Sequence, residues 1–407
     1  MDNRTDLDLS LPGYVRTLME RLEGAGEEVY LVGGSLRDAL LGIPPHDFDL
    51  ATSALPQKTV SLFSDLRVIE TGLKHGTVTV LSQGNPVEIT TFRIDGSYTD
   101  ARHPDGVTFT DRITDDLSRR DFTVNAMAYS PRRGLVDPFG GRQDLARRVL
   151  RAVGEPERRF SEDALRIMRA FRFSAQLGFA IDPDTLLGAT RCRAGLARIA
   201  AERIAAEFLR LLLSPDPAPA LAAMTESGIL PYVSGDYRPS EKLLATLASA
   251  PCEDVARLGL FLAEADEAEA TALLRRLKYS NKQLTGARAV RRGSGIPVSD
   301  PAQARRLIAD CGVYAPSAVR ASVLLGNSPR EAIGWVERNS AACSLRELAL
   351  SGKDLLAAGI EGRRIGVTLE RLLAAVLEDP SLNQRQTLLA LALAQNQPNQ
   401  KDEKKDE

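Results

Sequence analysis

The chain is poor in the residues that build disulfides and metal–thiolate or histidine centres. Its 407 residues include four widely separated cysteines with no CxxC pair, which are Cys192, Cys252, Cys311 and Cys343. Its three histidines are scattered as well, at His46, His75 and His103. A disulfide framework, a zinc site and a histidine-rich metal centre are therefore not expected.

The sequence also lacks a strong net charge and long apolar runs. A formal net charge of −2 predicts no bulk attraction to nucleic acid or anionic membrane, so any polyanion site has to be a local patch. No apolar run reaches the roughly 18 residues of a membrane-spanning helix, and the polar start MDNRTDLDLSLPG does not resemble a signal peptide. We therefore expect a cytoplasmic enzyme or binding protein with no membrane association.

Strand and helix signals divide the chain into two parts. Residues 1–142 mix a helical LPGYVRTLMERLEGAG with strand-like EVYLVGG, DFDLAT, GTVTVLS and PVEITTFR. In the same part, DLSRRDFTVNAMAYS is predicted to be a helix with one apolar face. From about residue 143 the strand signals vanish, and amphipathic helical stretches follow one another. One of them, EDALRIMRAFRFSAQLGF, is predicted to be a single long helix that ends near Gly178. The sequence thus predicts an α+β head, an all-helical remainder, and a polar, disordered end at 396–407.

The first candidate site is the pair Asp47 and Asp49 in HDFDLAT. In a strand, residues i and i+2 point to the same face, so the two carboxylates would lie side by side. Like charges at that distance need a cation or a proton to neutralise them, and hard oxygen ligands suit Mg²⁺ or Mn²⁺. A lone DxD also fits an ordinary surface strand end, so the motif depends on its neighbours.

The neighbouring GGSLRD segment favours the metal interpretation. A Gly-Gly turn before a helix lets the backbone approach a phosphate, and the helix N-terminus presents free N–H groups to an anion. Gly33 and Gly34 are therefore candidates, together with Arg37, which we place in the first helical turn, within reach of a triphosphate. A phosphate cradle beside paired carboxylates indicates phosphoryl or nucleotidyl transfer with two metal ions. Glu88, in VEITTF, is the candidate third catalytic carboxylate, and a solvent-facing strand position is the alternative.

Two later segments add arginines and aspartates. RRDFTVNAMA offers a pair of arginines and an aspartate that could hold sugar hydroxyls or phosphate, although they could equally be a charge cluster at a helix start. EDALRIMRAFRF has charged residues at intervals of three, which share one face of a helix and would otherwise form a solvated stripe. The candidates in these two segments are Arg119, Arg120, Asp121, Asp163, Arg166, Arg169 and Arg172.

One aspartate and one arginine on that helix would be enough to select bases. A carboxylate accepts from an exocyclic amine, and a guanidinium donates to a ring nitrogen. Cytosine and adenine each present an amine beside a ring acceptor, whereas guanine and uracil present a carbonyl beside an N–H. Asp163 and Arg166 would therefore accept C and A and reject G and U without a nucleic-acid template.

Six motifs, in order across residues 28–210, resemble the class II CCA-adding tRNA nucleotidyltransferases, which are related to bacterial poly(A) polymerases. The motifs are LVGGSLRDALLG, HDFDLAT, RRDFTVNAMA, DPFGGRQDL, EDALRIMRAFRF and RIAAERIAAEF. The resemblance implies a seahorse-like arrangement of four regions, followed by the disordered end. They are a catalytic nucleotidyltransferase head with a mixed sheet (1–142), a helical neck with the nucleotide-selecting helix (143–213), a helical body (214–292) and a helical, tRNA-binding tail (293–395).

The resemblance also implies roles and partners. Asp47 and Asp49 would bind Mg²⁺, or Mn²⁺ as an alternative, and Gly34 and Arg37 would hold the triphosphate of CTP or ATP. The remaining roles would be ribose recognition by Asp121 with Arg119 or Arg120, and base reading by Asp163 and Arg166 with support from Arg169 and Arg172. tRNA would lie along the body and tail, bound mainly through its phosphates, and the protein would be a monomer or a homodimer.

The segment FRIDGSYTDARHPDGVTF (92–109) resembles the flexible loop that family members use to add the final A. It is intact, with Ala101 where the family more often has glycine, which argues against a CC-only enzyme. We therefore predict addition of complete CCA. The alternatives are an A-adding enzyme with a separate CC-adding partner, and a poly(A) polymerase, against which NAMAYS and the absence of a basic tail weigh. A non-catalytic helical RNA-binding protein with an inactive head is a third interpretation, opposed by the paired aspartates.

Overall fold

The computed structural model describes residues 9–45, 47–96 and 106–396. Contacts divide the chain into two compact units, Met1–Asp236 and Tyr237–Glu407. These units are coarser than the four regions expected from the sequence, whose boundaries stay a prediction. Residues 97–105 of the loop at 92–109, which include Ala101, and the polar end at 397–407 lie outside the described residues.

A mixed sheet forms the centre of the N-terminal unit. Its strands are β1 (Val29–Val32), β2 (Phe48–Thr52), β3 (Arg67–Ile69), β4 (Thr77–Ser82), β5 (Asn85–Thr91), β8 (Ala128–Ser130) and β9 (Gly134–Val136). Their spatial order is β3-β4-β5-β2-β1-β8-β9. The β2–β5 pair is parallel, and the other neighbouring pairs are antiparallel. All four residues of β1 are buried, which explains its unbroken apolar run.

Two short strand pairs and a series of helices complete this unit. The strand pairs are β6 (Arg93–Asp95) with β7 (Val107–Phe109), and β10 (Val149–Leu150) with β11 (Ala180–Ile181). The helices are α1 (Gly13–Gly24), α2 (Gly33–Leu40), α3 (Pro56–Leu62), α4 (Ile113–Ser118), α5 (Gly141–Arg147), α6 (Pro156–Glu162), α7 (Leu165–Leu177), α8 (Pro183–Cys192), α9 (Ala201–Leu212), α10 (Ala218–Glu226) and α11 (Pro231–Ser234).

The predicted helix over DLSRRDFTVNAMAYS is wrong. Helix α4 ends at Ser118, the chain turns, and a 3-10 turn at Thr123–Asn125 leads into strand β8. The sequence has an apolar face at helical spacing, but pairing of β8 with β1 and β9 buries Ala128 through Ser130 in the sheet. Tertiary pairing therefore overrides the local periodicity.

Three smaller expectations also need correction. Helix α2 already begins at Gly33, so Arg37 lies in its second turn rather than its first. The predicted single helix over EDALRIMRAFRFSAQLGF is two helices, because Asp163 has extended φ and ψ angles of −143° and 105° between α6 and α7. Strands β10 and β11 show that strand structure continues beyond residue 143.

Helix α7 joins the sheet-containing part of this unit to the helices that follow. Its predicted end is confirmed: Gly178 caps it in the left-handed conformation, with φ 65°. One face of α7 packs on α9, and Phe171 and Phe208 are completely buried there. The amphipathic patterns of both segments thus form one shared core.

The second unit is helical, and none of its described residues, 237–396, belongs to a strand. Its helices are α12 (Glu241–Thr246), α13 (Asp254–Phe261), α14 (Glu267–Arg276), α15 (Asn281–Ser294), α16 (Pro301–Cys311), α17 (Ala315–Leu324), α18 (Glu331–Glu337), α19 (Gly352–Ala357), α20 (Arg363–Glu378) and α21 (Arg385–Gln395). One apolar cluster lies among α15 to α18 and another among α19 to α21. The predicted α+β head with a helical remainder is confirmed. In the described part of the chain, every helix is too short or too polar to cross a membrane.

Candidate active site

A cavity of about 430 Å³ opens in the N-terminal unit, within the size range of small-ligand sites. It is lined by Gly33, Gly34, Arg37, Asp49, Arg119, Arg120, Asp121, Asn125, Asp163, Leu165, Arg166, Arg169, Phe173 and Arg203. These residues come from β2, α2, the turn after α4, the α6–α7 break, α7 and α9. The candidates Asp47, Glu88 and Arg172 do not line the cavity.

Three carboxylates lie at the sheet end of the site. Asp49 is half-buried in β2, and Asp47 is exposed just before this strand. Glu88 is exposed on β5, directly beside Asp49 in the parallel register, so both side chains leave the same face of the sheet. Burial and the charge of Glu88 raise the pKa of Asp49 to about 6, with a further contribution from Asp47 and an opposing one from Arg120. The site is therefore locally rich in negative charge.

This donor set fits a divalent cation. Mg²⁺ commonly binds one or two carboxylates and completes its shell with substrate phosphates and water. Asp47 and Asp49 supply that number of carboxylates, and a cation beside them would offset the burial and repulsion that raise the pKa of Asp49. Within the described ranges, no three His, Cys, Asp or Glu side chains form a metal site of their own.

Gly33 joins the carboxylates to the rest of the cavity. Val32 pairs with Asp49 in the β1–β2 ladder, so Gly33 follows directly beside that carboxylate. Its φ of +71° is in the left-handed region, which side-chain-bearing residues rarely adopt. A β-carbon here would lie 3.4 Å from Nη1 of Arg120 and 3.6 Å from Oδ2 of Asp49. The glycine therefore sits between a positive and a negative group.

Arg37 lies in the wall of the cavity and is only 8% exposed. Its Nη1 donates to Oδ1 of Asn125 over 2.8 Å, and its Nε donates to Asp38 over 2.8 Å. Its guanidinium also lies 5.3 Å from the centre of the Phe173 ring. These contacts fix the side chain in place.

The turn after α4 holds both arginines of the RRD motif against one buried carboxylate. Asp116 is completely buried and accepts from Nε of Arg119 over 2.9 Å and from Nη2 of Arg120 over 3.0 Å. Burial alone would raise its pKa, but the charges of Arg120 and Arg119 hold that pKa below the usual value. Among the described residues, Nε of Arg120 is buried and has no acceptor.

Asp121 forms an ion pair with a different arginine, Arg169. Its Oδ2 accepts from Nε and Nη2 of Arg169 over 2.8 and 2.6 Å, and its Oδ1 accepts from the Asn125 amide over 3.3 Å. Although burial opposes ionisation, the charge of Arg169 lowers the pKa of Asp121 to about 2. This ion pair, in which two nitrogens of Arg169 share one oxygen of Asp121, ties the turn to the middle of α7.

The predicted base-reading residues are held separately at the start of α7. Oδ2 of Asp163 accepts from Arg203 over 3.1 Å, and its Oδ1 accepts from the backbone N–H of Leu165. Arg166 donates to Oε2 of Glu162 over 2.6 Å and to the carbonyl of Arg119 over 3.1 Å. Both side chains thus reach the cavity with fixed orientations.

Arg172 lies behind the cavity. Its guanidinium pairs with Glu207 on α9, donates to Gln176 and stacks 3.9 Å from the centre of the Phe173 ring. Phe173 in turn lies 5.2 Å from the guanidinium of Arg169. In this structure Arg172 supports the cavity wall through the aromatic ring.

Comparison with known proteins identifies the family. Two family models match: "Poly A polymerase head domain" over residues 29–151, and "Probable RNA and SrmB- binding site of polymerase A" over residues 178–234. The CCA-adding enzyme of Limosilactobacillus fermentum is 38% identical over 93% of this chain and 95% of its own. That of Leuconostoc citreum is 37% identical over 94% and 96%. This chain belongs to the CCA-adding enzyme family.

Solved structures agree with this assignment. The crystal structure of the Bacillus stearothermophilus CCA-adding enzyme in complex with CTP matches with a TM-score of 0.82 at 32% identity, covering 96% of this chain and 100% of that one. The Thermotoga maritima CCA-adding enzyme complexed with tRNA matches with a TM-score of 0.68 at 22% identity, over 95% and 96% of the two chains, and supports the fold alone. The sequence-based resemblance to this nucleotidyltransferase family is thereby confirmed.

Sequence reasoning missed four residues that build the site of this family member: Asp116, Asn125, Phe173 and Arg203. Asn125 and Arg203 lie in motifs that had been noted, but the first was placed on a helix that does not exist, and the second was not singled out. Asp116 stands four residues before Arg120, at a helical spacing that could have suggested an ion pair. Phe173 became significant only when three guanidinium groups were found around its ring.

Proposed function

We propose that this chain adds the CCA sequence to tRNA 3′ ends, using CTP and ATP without a nucleic-acid template and releasing pyrophosphate. The observation that carries the proposal is the single cavity in which Asp49 and Gly33 meet Asp163 and Arg166. The first pair suits phosphate and cation binding, and the second suits recognition of a base. Relatives named CCA-adding enzymes extend over nearly the same length as this chain.

The carboxylates would form the reacting end of the site. Nucleotidyltransferases generally use divalent metal ions, and Asp47 and Asp49 would hold Mg²⁺, or Mn²⁺ as an alternative. When bound, the metal ions would supply charge neutralisation at the attacking hydroxyl and the leaving pyrophosphate. Glu88 would add negative charge from the neighbouring strand and, as a third catalytic carboxylate, favour cation binding. The terminal 3′-hydroxyl of tRNA would attack the α-phosphorus, and pyrophosphate would leave in line with it.

The glycines and arginines would hold the nucleotide. Gly33 and Gly34 open α2, where free backbone N–H groups face an anion. Arg37 and Arg120 would add positive charge beside them. Asp121 would face the ribose while Arg169 holds it ionised.

Asp163 and Arg166 would select the base. The carboxylate would accept from N4 of cytosine or N6 of adenine, and the guanidinium would donate to N3 or N1. Both groups already have protein partners: Arg203 pairs with Asp163, and Glu162 pairs with Arg166. These partners would hold the two side chains in the orientation that meets the base, since a carboxylate oxygen can accept more than one hydrogen bond. Guanine and uracil would leave these charged groups facing groups of the wrong polarity, which is costly in a buried site.

The helical body and tail would bind tRNA. We assign the body to residues 214–292 and the tail to 293–395, and we expect contacts mainly to tRNA phosphates. A cytoplasmic location and a monomeric or homodimeric state belong to the same proposal. Sedimentation of the purified protein would distinguish the two states.

The decisive experiment supplies purified protein, Mg²⁺ and a tRNA transcript that ends at the discriminator base. With labelled CTP and ATP together we expect extension by CCA and no further. With CTP alone we expect addition of CC. No incorporation under either condition would contradict the proposal.

The same reactions separate the alternatives. An A-adding enzyme would leave the transcript unextended in CTP but would add one A to a tRNA ending in CC. A poly(A) polymerase would continue past one A when ATP is supplied. A non-catalytic RNA-binding protein would show tRNA binding without incorporation of either nucleotide.

A further inference from the structure

Two adjacent arginines in one cavity present an electrostatic problem. The side chains of Arg119 and Arg120 are both only 18% exposed, and their positive charges follow each other in sequence. Left unpaired, they would repel each other in a region of reduced dielectric. The carboxylate of Asp116 offsets this repulsion, because each of its two oxygens accepts a hydrogen bond from one of the arginines.

Although both arginines bind the same carboxylate, the two residues contact different parts of the cavity. The main-chain carbonyl of Arg119 accepts from Nη2 of Arg166 on α7 over 3.1 Å. The side chain of Arg120 lies toward the sheet. A β-carbon built on Gly33 would be 3.4 Å from Nη1 of Arg120. The positive charge of Arg120 also opposes the rise in the pKa of Asp49. One arginine thus neighbours the base-reading residues, and the other neighbours the glycine turn and the carboxylates.

Arg120 keeps donor capacity for a ligand. Only its Nη2 bonds to Asp116, and its buried Nε has no acceptor within the described residues. An unsatisfied buried donor is costly, and such groups occur where a ligand completes them. An anion with several oxygens placed beside Gly33 and Arg120 would accept from the guanidinium and meet the N-terminus of α2.

We propose that Asp116 is a positioning residue that holds Arg119 and Arg120 in fixed directions, so that Arg120 binds the triphosphate of the incoming nucleotide. The inference rests on the proposed nucleotide-binding function of the cavity and deepens it. It separates the roles of two neighbouring arginines that the sequence alone cannot distinguish. Because the triphosphate is common to CTP and ATP, Asp116 acts on both nucleotides alike.

The test compares Asp116→Asn with a matched control on the same helix, Asp115→Asn. Asp115 is adjacent in sequence and accepts from the Thr110 hydroxyl over 3.0 Å, so its removal leaves the arginines untouched. Equilibrium binding of CTP and of ATP is measured by calorimetry, with thermal unfolding as the check on folding. Binding does not require turnover, so the result stands whether or not the chain extends tRNA.

We expect Asp116→Asn to weaken binding of CTP and ATP by about tenfold each, the scale of one charge-assisted hydrogen bond. Asp115→Asn should stay within about twofold of the wild type, since no arginine depends on it. A loss for one nucleotide alone, or an equal loss in both variants, would contradict the proposal. In an active preparation, the ratio of correct to incorrect nucleotide addition should not change.

Variants of Arg120, alone and combined with Asp116→Asn, test the role assigned to Arg120. Arg120→Lys keeps a positive charge for Asp116 but removes Nε, and it should weaken both nucleotides by about tenfold. Adding Asp116→Asn to Arg120→Ala should cost less than about twofold more, because Asp116 acts through Arg120. Full binding by Arg120→Lys would overturn the proposal. If Asp116→Asn does not fold, the Arg120→Lys result decides.

Discussion

The two ends of the cavity differ in how their charges are balanced. At the sheet end, Asp49 has neighbours of its own sign, and no ion pair involving it exists in the described part of the chain. At the helix end, charges come in pairs: Asp121 with Arg169, and Asp163 with Arg203. Under the proposed function, the sheet end would receive cations, whereas the helix end is already neutralised and its paired side chains would meet the base in fixed orientations.

This difference suggests a division of labour. An unbalanced carboxylate cluster binds a metal ion strongly but carries no information about the base. Paired side chains are held in fixed directions and can discriminate between donor and acceptor patterns. The four predictions that follow test this contrast.

The largest effect is expected from Asp49→Asn. Removing the carboxylate should lower the rate of nucleotide addition by about a thousandfold or more, the scale for losing a group that stabilises the transition state. Stability should not fall. The folded pKa of about 6 lies above the unfolded value, so ionisation of Asp49 at neutral pH opposes folding, and a neutral amide relieves that cost. Activity assays and urea unfolding measure the two effects, and a clear loss of stability would refute the contrast at this end.

Asp163→Asn should instead change selectivity. The amide can donate as well as accept, so the preference for CTP over UTP should fall by about 10- to 100-fold, as for a lost base contact. The rate with the best nucleotide should fall much less than in Asp49→Asn. Single-nucleotide addition to tRNA provides the measurement, and Asp184→Asn, an exposed carboxylate on α8, is the control. An unchanged CTP/UTP ratio would show that Asp163 does not read the base.

Asp121→Asn should reduce the free energy of unfolding at pH 7 by about 1–3 kcal/mol, because it leaves Arg169 without its hydrogen-bonded partner. The folded pKa of about 2 is below the unfolded value near 4, so this stabilisation is complete above about pH 5. It should shrink as the pH falls from about 4 toward 2. Urea unfolding of both proteins at several pH values measures the difference, and a difference that does not depend on pH would contradict the ion-pair interpretation.

Arg203→Met should have the smallest effect. Without its partner, Asp163 keeps the hydrogen bond from the Leu165 N–H but loses one orienting contact. We expect the KM for CTP and ATP to rise by about fivefold, as for a partly exposed ion pair. Arg210→Met, on the same helix and 63% exposed at its side chain, is the matched control. Equal effects of the two variants would show that Arg203 does not contribute to the site.

Local patterns were sufficient at the sheet end and insufficient at the helix end. Asp49 and Gly33 are 16 residues apart, and the motifs around them indicated carboxylate and phosphate chemistry without knowledge of the fold. Asp116 and Arg203 act through partners that only tertiary structure brings within reach. Asp163 was misplaced because helical spacing continues through the break that frees its carboxylate. The role of the loop at 92–109 in adding the final A stays a prediction.

The hydrogen bond from Arg166 to the carbonyl of Arg119 has a consequence for variation within such sites. Its acceptor belongs to the main chain, so every amino acid at position 119 would provide it. This hydrogen bond between α7 and the turn after α4 is therefore insensitive to substitution at position 119. A substitution at position 119 could change the charge of the turn without removing its hydrogen bond to Arg166.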